Sequence, residues 1–303
     1  GFVGESLLAL AIWTLLFAMI GGAHPRVRAC AHNAFEMSHR FCGWAMLVLF
    51  WLQTAGAAGE VAGREGTSLG IALMHTPPFW CLLLMTALVA YPWLQLRRVP
   101  VRAEKLSEHA VRLHLPGRAA ACRTIRLSDA PLRETHAFAV IPEPEGEDGY
   151  SLVVSAAGDW TSRMVAAPPE RLWIKGRPTW GVLRVAPLFS PVIIVATGSG
   201  IGPVLGLFSG HAGLDARIVW ASPEPERTFG KGIVARVREA DPRAIIVDTR
   251  REGRPDMLAL ALGVYESAKA EAVVVISNKV VTKRVVRGLE GRGVPAFGPI
   301  WDS

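Results

Sequence analysis

The string Thr197-Gly198-Ser199-Gly200-Ile201-Gly202-Pro203 joins an apolar run, Val192–Ala196, to a helical stretch that opens at Ile201. Glycines at such a strand-to-helix turn let the backbone approach a pyrophosphate, whose charge the helix N-terminus stabilises. That is the chemistry of dinucleotide binding. A tight turn without a ligand would use the same residue types, so the string takes its weight from the strand before it and the helix after it. A second strand ends at Trp220-Ala221-Ser222, the position that meets the adenosine ribose in dinucleotide folds. An acidic side chain there favours NAD, whereas Ser222 and Arg227 could hold the 2′-phosphate of NADPH. Glu224 and Glu226 lie beside them, so NADH is kept as an alternative to NADPH.

The other reactive residue types point to little. The four cysteines, Cys30, Cys42, Cys81 and Cys122, form no CxxC pair, and three lie in or beside apolar segments as small hydrophobes do. No metal site is expected from them, and no nucleophile–base pair emerges as catalytic. Histidines near apolar spans raise the question of haem. A two-haem relay needs ligand pairs on one helix roughly 14 residues apart. At that spacing from His39 and His75 stand Gln53 and Val89. Haem therefore stays open, with interfacial or hydrogen-bonded histidines as the plain alternative.

Two kinds of element must position these residues. Short, often alternating runs separated by Pro, Gly and acidic turns predict antiparallel strands at Ala110–Leu115, Cys122–Leu127, His136–Ile141, Tyr150–Ser155 and Arg171–Lys175. Pro142–Gly149 reads as a solvated loop. After Pro191 strands and helices alternate: strands at Val192–Ala196, Arg217–Ala221, Ala244–Asp248 and Ala272–Ser277, helices at Ile201–Phe208, Lys231–Glu239, Asp256–Lys269 and Val280–Glu290. That alternation predicts a parallel sheet flanked by helices.

The first third is different. Half of the 303 residues are hydrophobic, and the excess sits before residue 97. Phe2–Ile20, Phe41–Ala58 and Phe79–Leu96 each approach the roughly 20 apolar residues that span a bilayer. Glu5 and the lack of basic residues before it argue against a cleaved signal peptide. Arg26, Arg28 and Arg40 in the first loop, and Arg97, Arg98, Arg102 and Lys105 after the third span, place those segments in the cytoplasm. The chain begins with Gly rather than Met, which fits a processed chain or a fragment with earlier helices missing. The net charge of +7 is dispersed and accompanies no nucleic-acid-binding signature, so an anionic bilayer or dinucleotide is the expected partner and nucleic acid is not.

Four strings occur together here: Phe35–Trp44 (FEMSHRFCGW), Ala157–Thr161 (AGDWT), Ala196–Pro203 (ATGSGIGP) and the terminal Gly298–Ser303 (GPIWDS). In this combination the chain resembles the ferredoxin–NADP reductase superfamily, its ferric reductase and NADPH oxidase branch. More narrowly, it resembles the membrane reductase module of fungal adenylation-domain proteins. The resemblance implies transmembrane α-helices (1–98), an antiparallel β-barrel FAD-binding domain (99–186) and a Rossmann-like parallel-sheet NAD(P)-binding domain (187–303). It implies FAD along His136, Ala137, Phe138 and Ala139, where the family has His-Pro-Phe-Ser/Thr, and at Gly158, Asp159, Trp160 and Thr161 for the pyrophosphate. Ala137 and Ala139 replace a proline and a hydroxyl residue, and Ser155 stands where an arginine is usual. Lys175–Pro178 falls at the family's glycine–proline turn near the nicotinamide. Ser277 and Asn278 occupy the place of a Cys-Gly facing the hydride path, and Trp301 that of a terminal aromatic covering the flavin. The implied function is an integral membrane NAD(P)H oxidoreductase with a cytoplasmic module and an unassigned electron acceptor. A haem-containing ferric reductase and a non-catalytic nucleotide-binding sensor are the alternatives.

Overall fold

A computed structural model of the chain describes residues 2–143, 148–211 and 213–299. The chain divides into two units, the first comprising the helices up to Leu96 and the second nearly all of the chain from Arg97 onward.

The first unit consists of α1 (Phe2–Gly22), α2 (Pro25–Cys30), α3 (His32–Glu65), α4 (Leu69–Met74) and α5 (Pro77–Leu94). Proline at the first position opens α2 and α5, where its missing N–H costs nothing. Gly66, at φ +65°, closes α3. Three helices, Gly4–Gly22, Ala34–Glu65 and Pro77–Leu94, are long and apolar enough to cross a membrane. The middle one exceeds the expected Phe41–Ala58 at both ends. Hydropathy sees only its apolar centre, whereas the helix continues through polar turns supported by the i,i+4 pairs His32–Glu36 and Glu60–Arg64, each at 3.3 Å. Helices α3 and α5 are joined by the Trp51 indole N–H donating to Thr86 Oγ1 (2.9 Å) and by an edge-to-face pair, Trp44 and Trp93. Leu10, Phe17, Leu84 and Leu88 point outward, each more than half exposed.

The second unit begins with β1 (Arg97–Pro100), β2 (Arg102–Lys105), β3 (Ala110–Leu115), β4 (Arg123–Ser128), β5 (His136–Ala139), β6 (Ile141–Pro142) and β7 (Tyr150–Ser155). Then follow α6 (Asp159–Ala166) and β8 (Arg171–Trp180). The strands form two four-stranded antiparallel sheets, in the orders β1-β8-β4-β5 and β2-β3-β7-β6. Where one barrel was expected, two sheets close over a core containing Leu113, Leu127, Leu152 and Ile174. The first two strands were not anticipated. Their residues (RRVP, RAEK) are nearly all exposed and carry no apolar alternation, so they read as a charged loop.

A 3₁₀ segment, Val182–Leu188, leads to β9 (Val192–Thr197), α7 (Ile201–Gly210), β10 (Ala216–Ser222), α8 (Pro225–Phe229) and α9 (Lys231–Ala240). The chain continues through β11 (Ile245–Asp248), α10 (Met257–Ala268), β12 (Ala272–Ile276), α11 (Lys279–Glu290) and β13 (Ala296–Phe297). The sheet is wholly parallel, in the order β11-β10-β9-β12-β13. Strands β9 and β12 are buried on both faces, which explains their uninterrupted apolar runs. The α7 and α9 side chains pack on one face, those of α10 and α11 on the other. Asp241, 3% exposed, fixes the start of β10: its carboxylate pairs with Arg217 and accepts the N–H of Ile218 (2.8 Å).

Helix α7 also faces the antiparallel sheets, through Gly202, Gly206 and Gly210. A Cβ on Gly206 would lie 2.3 Å from the Val140 carbonyl oxygen, and one on Gly210 would lie 2.4 Å from Ala121 Cβ. The helix backbone thus rests directly on the strands. One apolar cluster combines Ala110, Ile141 and Val153 from the antiparallel sheets with Val192, Ile194, Val204 and Leu207 from the parallel half.

Candidate functional site

In an open parallel sheet the ligand crevice lies at the carboxyl ends of the strands, where the strand order reverses. Here that point falls between β9 and β12. The chain ends of the two strands meet across it, the hydroxyl of Thr197, last in β9, and that of Ser277, just after β12, sharing a short hydrogen bond. The glycines between β9 and α7 serve different ends. Gly198 takes φ +51°, a left-handed conformation, in open space. Gly200 has ordinary helical angles, but a Cβ on it would stand 2.4 Å from the Ile276 carbonyl oxygen. The Trp220 indole, wholly buried beneath the turn, donates to the Gly198 carbonyl (3.0 Å). Ser199, Ile201 and Pro203 belong to the same turn and first helical residues, with Ile201 fully buried and Gly202 turned toward Val153.

A cavity of about 530 Å³ opens at this crevice. Four expected residues from three segments line it: Thr197 and Gly198, Ser222, and Asn278. Ser222 is 1% exposed, and its hydroxyl has no hydrogen-bond partner among the described residues. Asn278 caps α11, accepting the N–H of Val281. Three further lining residues, Thr249, Arg250 and Arg254, were not foreseen. They follow β11, and the pairing of Ser222 with Asp248 brings them beside the end of β10. The cluster of arginines after a strand (TRREGR) was the available signal. Arg227 is placed otherwise: it is exposed on the short α8 and pairs with Glu224 at 3.1 Å.

The loops at the cavity mouth are tied by Asp248. Its carboxylate accepts the backbone N–H of Glu224 (2.9 Å) and of Arg250 (3.0 Å). These bonds, that from Glu224 foremost, hold the carboxyl below its usual range. A folded-state value lowered in this way adds stability that is present above the ordinary carboxylate value, about 3.9, and is lost as pH falls through the lowered value. The stability advantage of the native chain over an Asp248→Ala variant should therefore be steady at neutral pH and shrink below about pH 4. Thermal unfolding of both across that range is the check; a constant difference would refute the anchoring role.

The second set of expected residues gathers on the antiparallel sheets. His136 stacks on Trp160 (centroids 4.4 Å apart), and Phe138 lies on the same indole at 5.8 Å. Ala137 and Ala139 alternate with them along β5 and pair with Arg126 and Thr124 of β4. They therefore share the opposite, outer face with those residues. The Thr161 hydroxyl accepts the N–H groups of Ala157 and Gly158 and donates to the Gly158 carbonyl, shaping the turn that opens α6. Asp159 stands in the first turn. Nearby, Trp160 Nε1 and Ser155 Oγ are buried without hydrogen-bond partners among the described residues. A helix N-terminus with unmatched donors alongside suits a pyrophosphate, so these residues fit a flavin dinucleotide.

Trp301 lies outside the described residues. His39 packs against Phe35 (4.2 Å) in α3, and His75 caps α4. Among the described residues no group of three or more His, Cys, Asp or Glu side chains could hold a metal ion. Burial pushes the Cys122 thiol up to about 11, which makes it a packing residue rather than a nucleophile.

Residues 182–303 match the family model described as adenylate-forming reductase 03009, C-terminal domain. Over 98% of its length the chain is 46% identical to adenylate-forming reductase 03009 and 43% identical to adenylate-forming reductase 06235, both of Coprinopsis cinerea. It spans 29% of the length of each. Among solved structures, a ferredoxin NADP⁺ reductase from Neisseria gonorrhoeae with bound FAD and NADP superposes with a TM-score of 0.52 at 14% identity. That likeness covers 66% of this chain and 92% of the other.

Proposed function

We propose that this chain is a membrane-anchored flavin oxidoreductase: residues 182–303 match the model of the adenylate-forming reductase 03009 C-terminal domain, and the sheets share the fold of a ferredoxin–NADP⁺ reductase. It draws electrons from NADPH, with NADH as the alternative donor, and passes them through FAD to an acceptor that the sequence leaves unassigned. The observation that carries this reading is the convergence of Thr197, Gly198, Ser222 and Asn278 on one cavity at the strand-order reversal.

Bound together, nicotinamide and flavin would supply hydride transfer; the protein supplies position and electrostatics. The turn at Gly198–Gly202 and the start of α7 receive the nicotinamide dinucleotide's pyrophosphate. Thr197 and Ser277 present hydroxyls at the floor of the crevice. Gly158 to Thr161 receive the pyrophosphate of FAD, and Trp160, braced by His136 and Phe138, stiffens the wall behind it. No side chain need act as acid or base.

Three long apolar helices with outward-facing leucines and phenylalanines support insertion in a bilayer, and the arginines at their ends support a cytoplasmic module. The test is an absorption spectrum of the full chain purified in detergent, with NADPH oxidation by an artificial acceptor. Flavin absorbance and turnover are expected. Nucleotide binding without flavin would instead identify a sensor, and a Soret band would add haem to the relay.

A further inference from the structure

Away from the cavity, one end of the antiparallel sheets is basic throughout. Residues 115–128 and 171–190, which include β4, β8 and the 3₁₀ segment, contain no aspartate or glutamate. Among their basic residues, Arg123, Arg126 and Arg184 form no ion pair with any described residue. Two of these arginines stack on one side chain. Trp180, last in β8, has the Arg123 guanidinium 3.7 Å from its ring centroid and that of Arg184 at 4.2 Å. A single ring face cannot hold two guanidinium groups so close, so they occupy opposite faces. Arg123 lies opposite Trp180 in the sheet register and donates to the Pro178 carbonyl (3.0 Å).

This sandwich closes the indole to a flavin, a base or any other ring. It leaves the ring edge and the guanidinium N–H groups, which suit oxyanions. Trp180 is nevertheless 47% exposed, and Leu188, ending the 3₁₀ segment that carries Arg184, is 75% exposed. An indole edge and a leucine among unpaired arginines match the headgroup layer of an anionic bilayer, where indoles settle and each arginine adds attraction.

Chain direction favours the same occupant. Only Gln95 and Leu96 separate α5 from β1. Strand β1 runs antiparallel to β8, Arg97 opposite Ile174 and Pro100 opposite Arg171. The stretch of β8 from Lys175 to Trp180 therefore extends past the end of β1 at which the chain arrives from the third apolar helix. An acidic protein would match the charge but gives no reason for that placement.

We propose that Trp180, Arg123 and Arg184, with Arg126 further along β4, dock the reductase sheets on the anionic headgroups of the leaflet in which the chain is anchored. The inference rests on the membrane-anchored reading above and adds to it a second, peripheral contact with lipid.

The test is hydrogen exchange of the full chain in nanodiscs of phosphatidylcholine alone and of phosphatidylcholine with phosphatidylserine at about three to one. Amides of residues 179–188 should exchange roughly tenfold or more slowly in the anionic discs, and the difference should vanish in about 1 M salt. The double variant Arg123→Gln/Arg184→Gln and the single variant Trp180→Ala should each remove it, while helix α10 exchanges alike throughout. Equal exchange in both discs, or a difference that persists in both variants, would overturn the docking and leave the anchor standing. Failure to enter either disc would overturn both. Protection by polyglutamate in zwitterionic discs, with none from phosphatidylserine, would assign the surface to an acidic protein. Equal protection by free glycerophosphoserine would assign it to a small anion. Either result overturns the lipid surface.

Discussion

Replacing Gly206 by alanine is expected to lower the thermal midpoint of the second unit by about 6–12 °C, a loss of roughly 3 kcal/mol. Valine there should abolish cooperative folding of that unit. The added Cβ would stand 2.3 Å from the carbonyl oxygen of Val140, between β5 and β6, and a backbone atom so held cannot swing aside as the end of a side chain can. Relief requires lifting α7 from the strands, which opens the apolar cluster shared by both halves. A domain's net stability is only about 5–15 kcal/mol, so an effect of this size is a large share of it. Calorimetry of the full chain is the measurement. The control is Gly263→Ala, at an exposed position of α10 with open space around it, which should stabilise by about 0.5–1 kcal/mol. Equal midpoints for Gly206→Ala and the native chain would mean that the helix does not rest on the strands as described.

The second large effect concerns the turn itself. Gly200→Ala should reduce dinucleotide affinity by about a hundredfold, near 2.7 kcal/mol, with the overall fold retained. Its Cβ would collide with the Ile276 carbonyl oxygen, 2.4 Å away, two residues before the Asn278 that lines the cavity. The turn and the end of β12 must then part, and the crevice loses the close spacing of its two walls. Gly198→Ala makes an informative contrast. That site has space but a left-handed φ, so the expected penalty is about 1–2 kcal/mol of conformational strain. Titration with NADP⁺ should rank Gly200→Ala as the more damaging; the reverse order would show that conformation, not proximity, dictates the glycines.

The parallel half was legible because its signals are local. Strands buried on both faces leave unbroken apolar runs, and a strand–glycine–helix junction is written in consecutive residues. Within the helical unit the apolar centre of α3 was legible and its polar turns were not, because a span is recognised by hydropathy whereas a helix is sustained by backbone geometry and i,i+4 pairs. Strands β1 and β2 left no trace, being charged and mostly exposed. The candidate site was legible only in part for a different reason. Arg250 and Arg254 reach the cavity because β11 lies in register beside β10, and that pairing brings together residues nearly thirty positions apart. Arg227 looked the better candidate by nearness in sequence, yet it is occupied by Glu224. The spacing of Gly202, Gly206 and Gly210 was visible as text, but the strands they touch lie far upstream.

That glycine face also bears on how the chain comes to be folded. The ribosome releases the antiparallel sheets first, and their Val140, Ile141 and Val153 surface stays uncovered until α7 has been made. During that interval a nascent chain presents a sticky, half-finished structure. Long-range closure of this kind is slow and exposed to aggregation. Translation of the segment between residues 156 and 210 is thus the vulnerable passage in the protein's synthesis, where chaperone contact should be greatest.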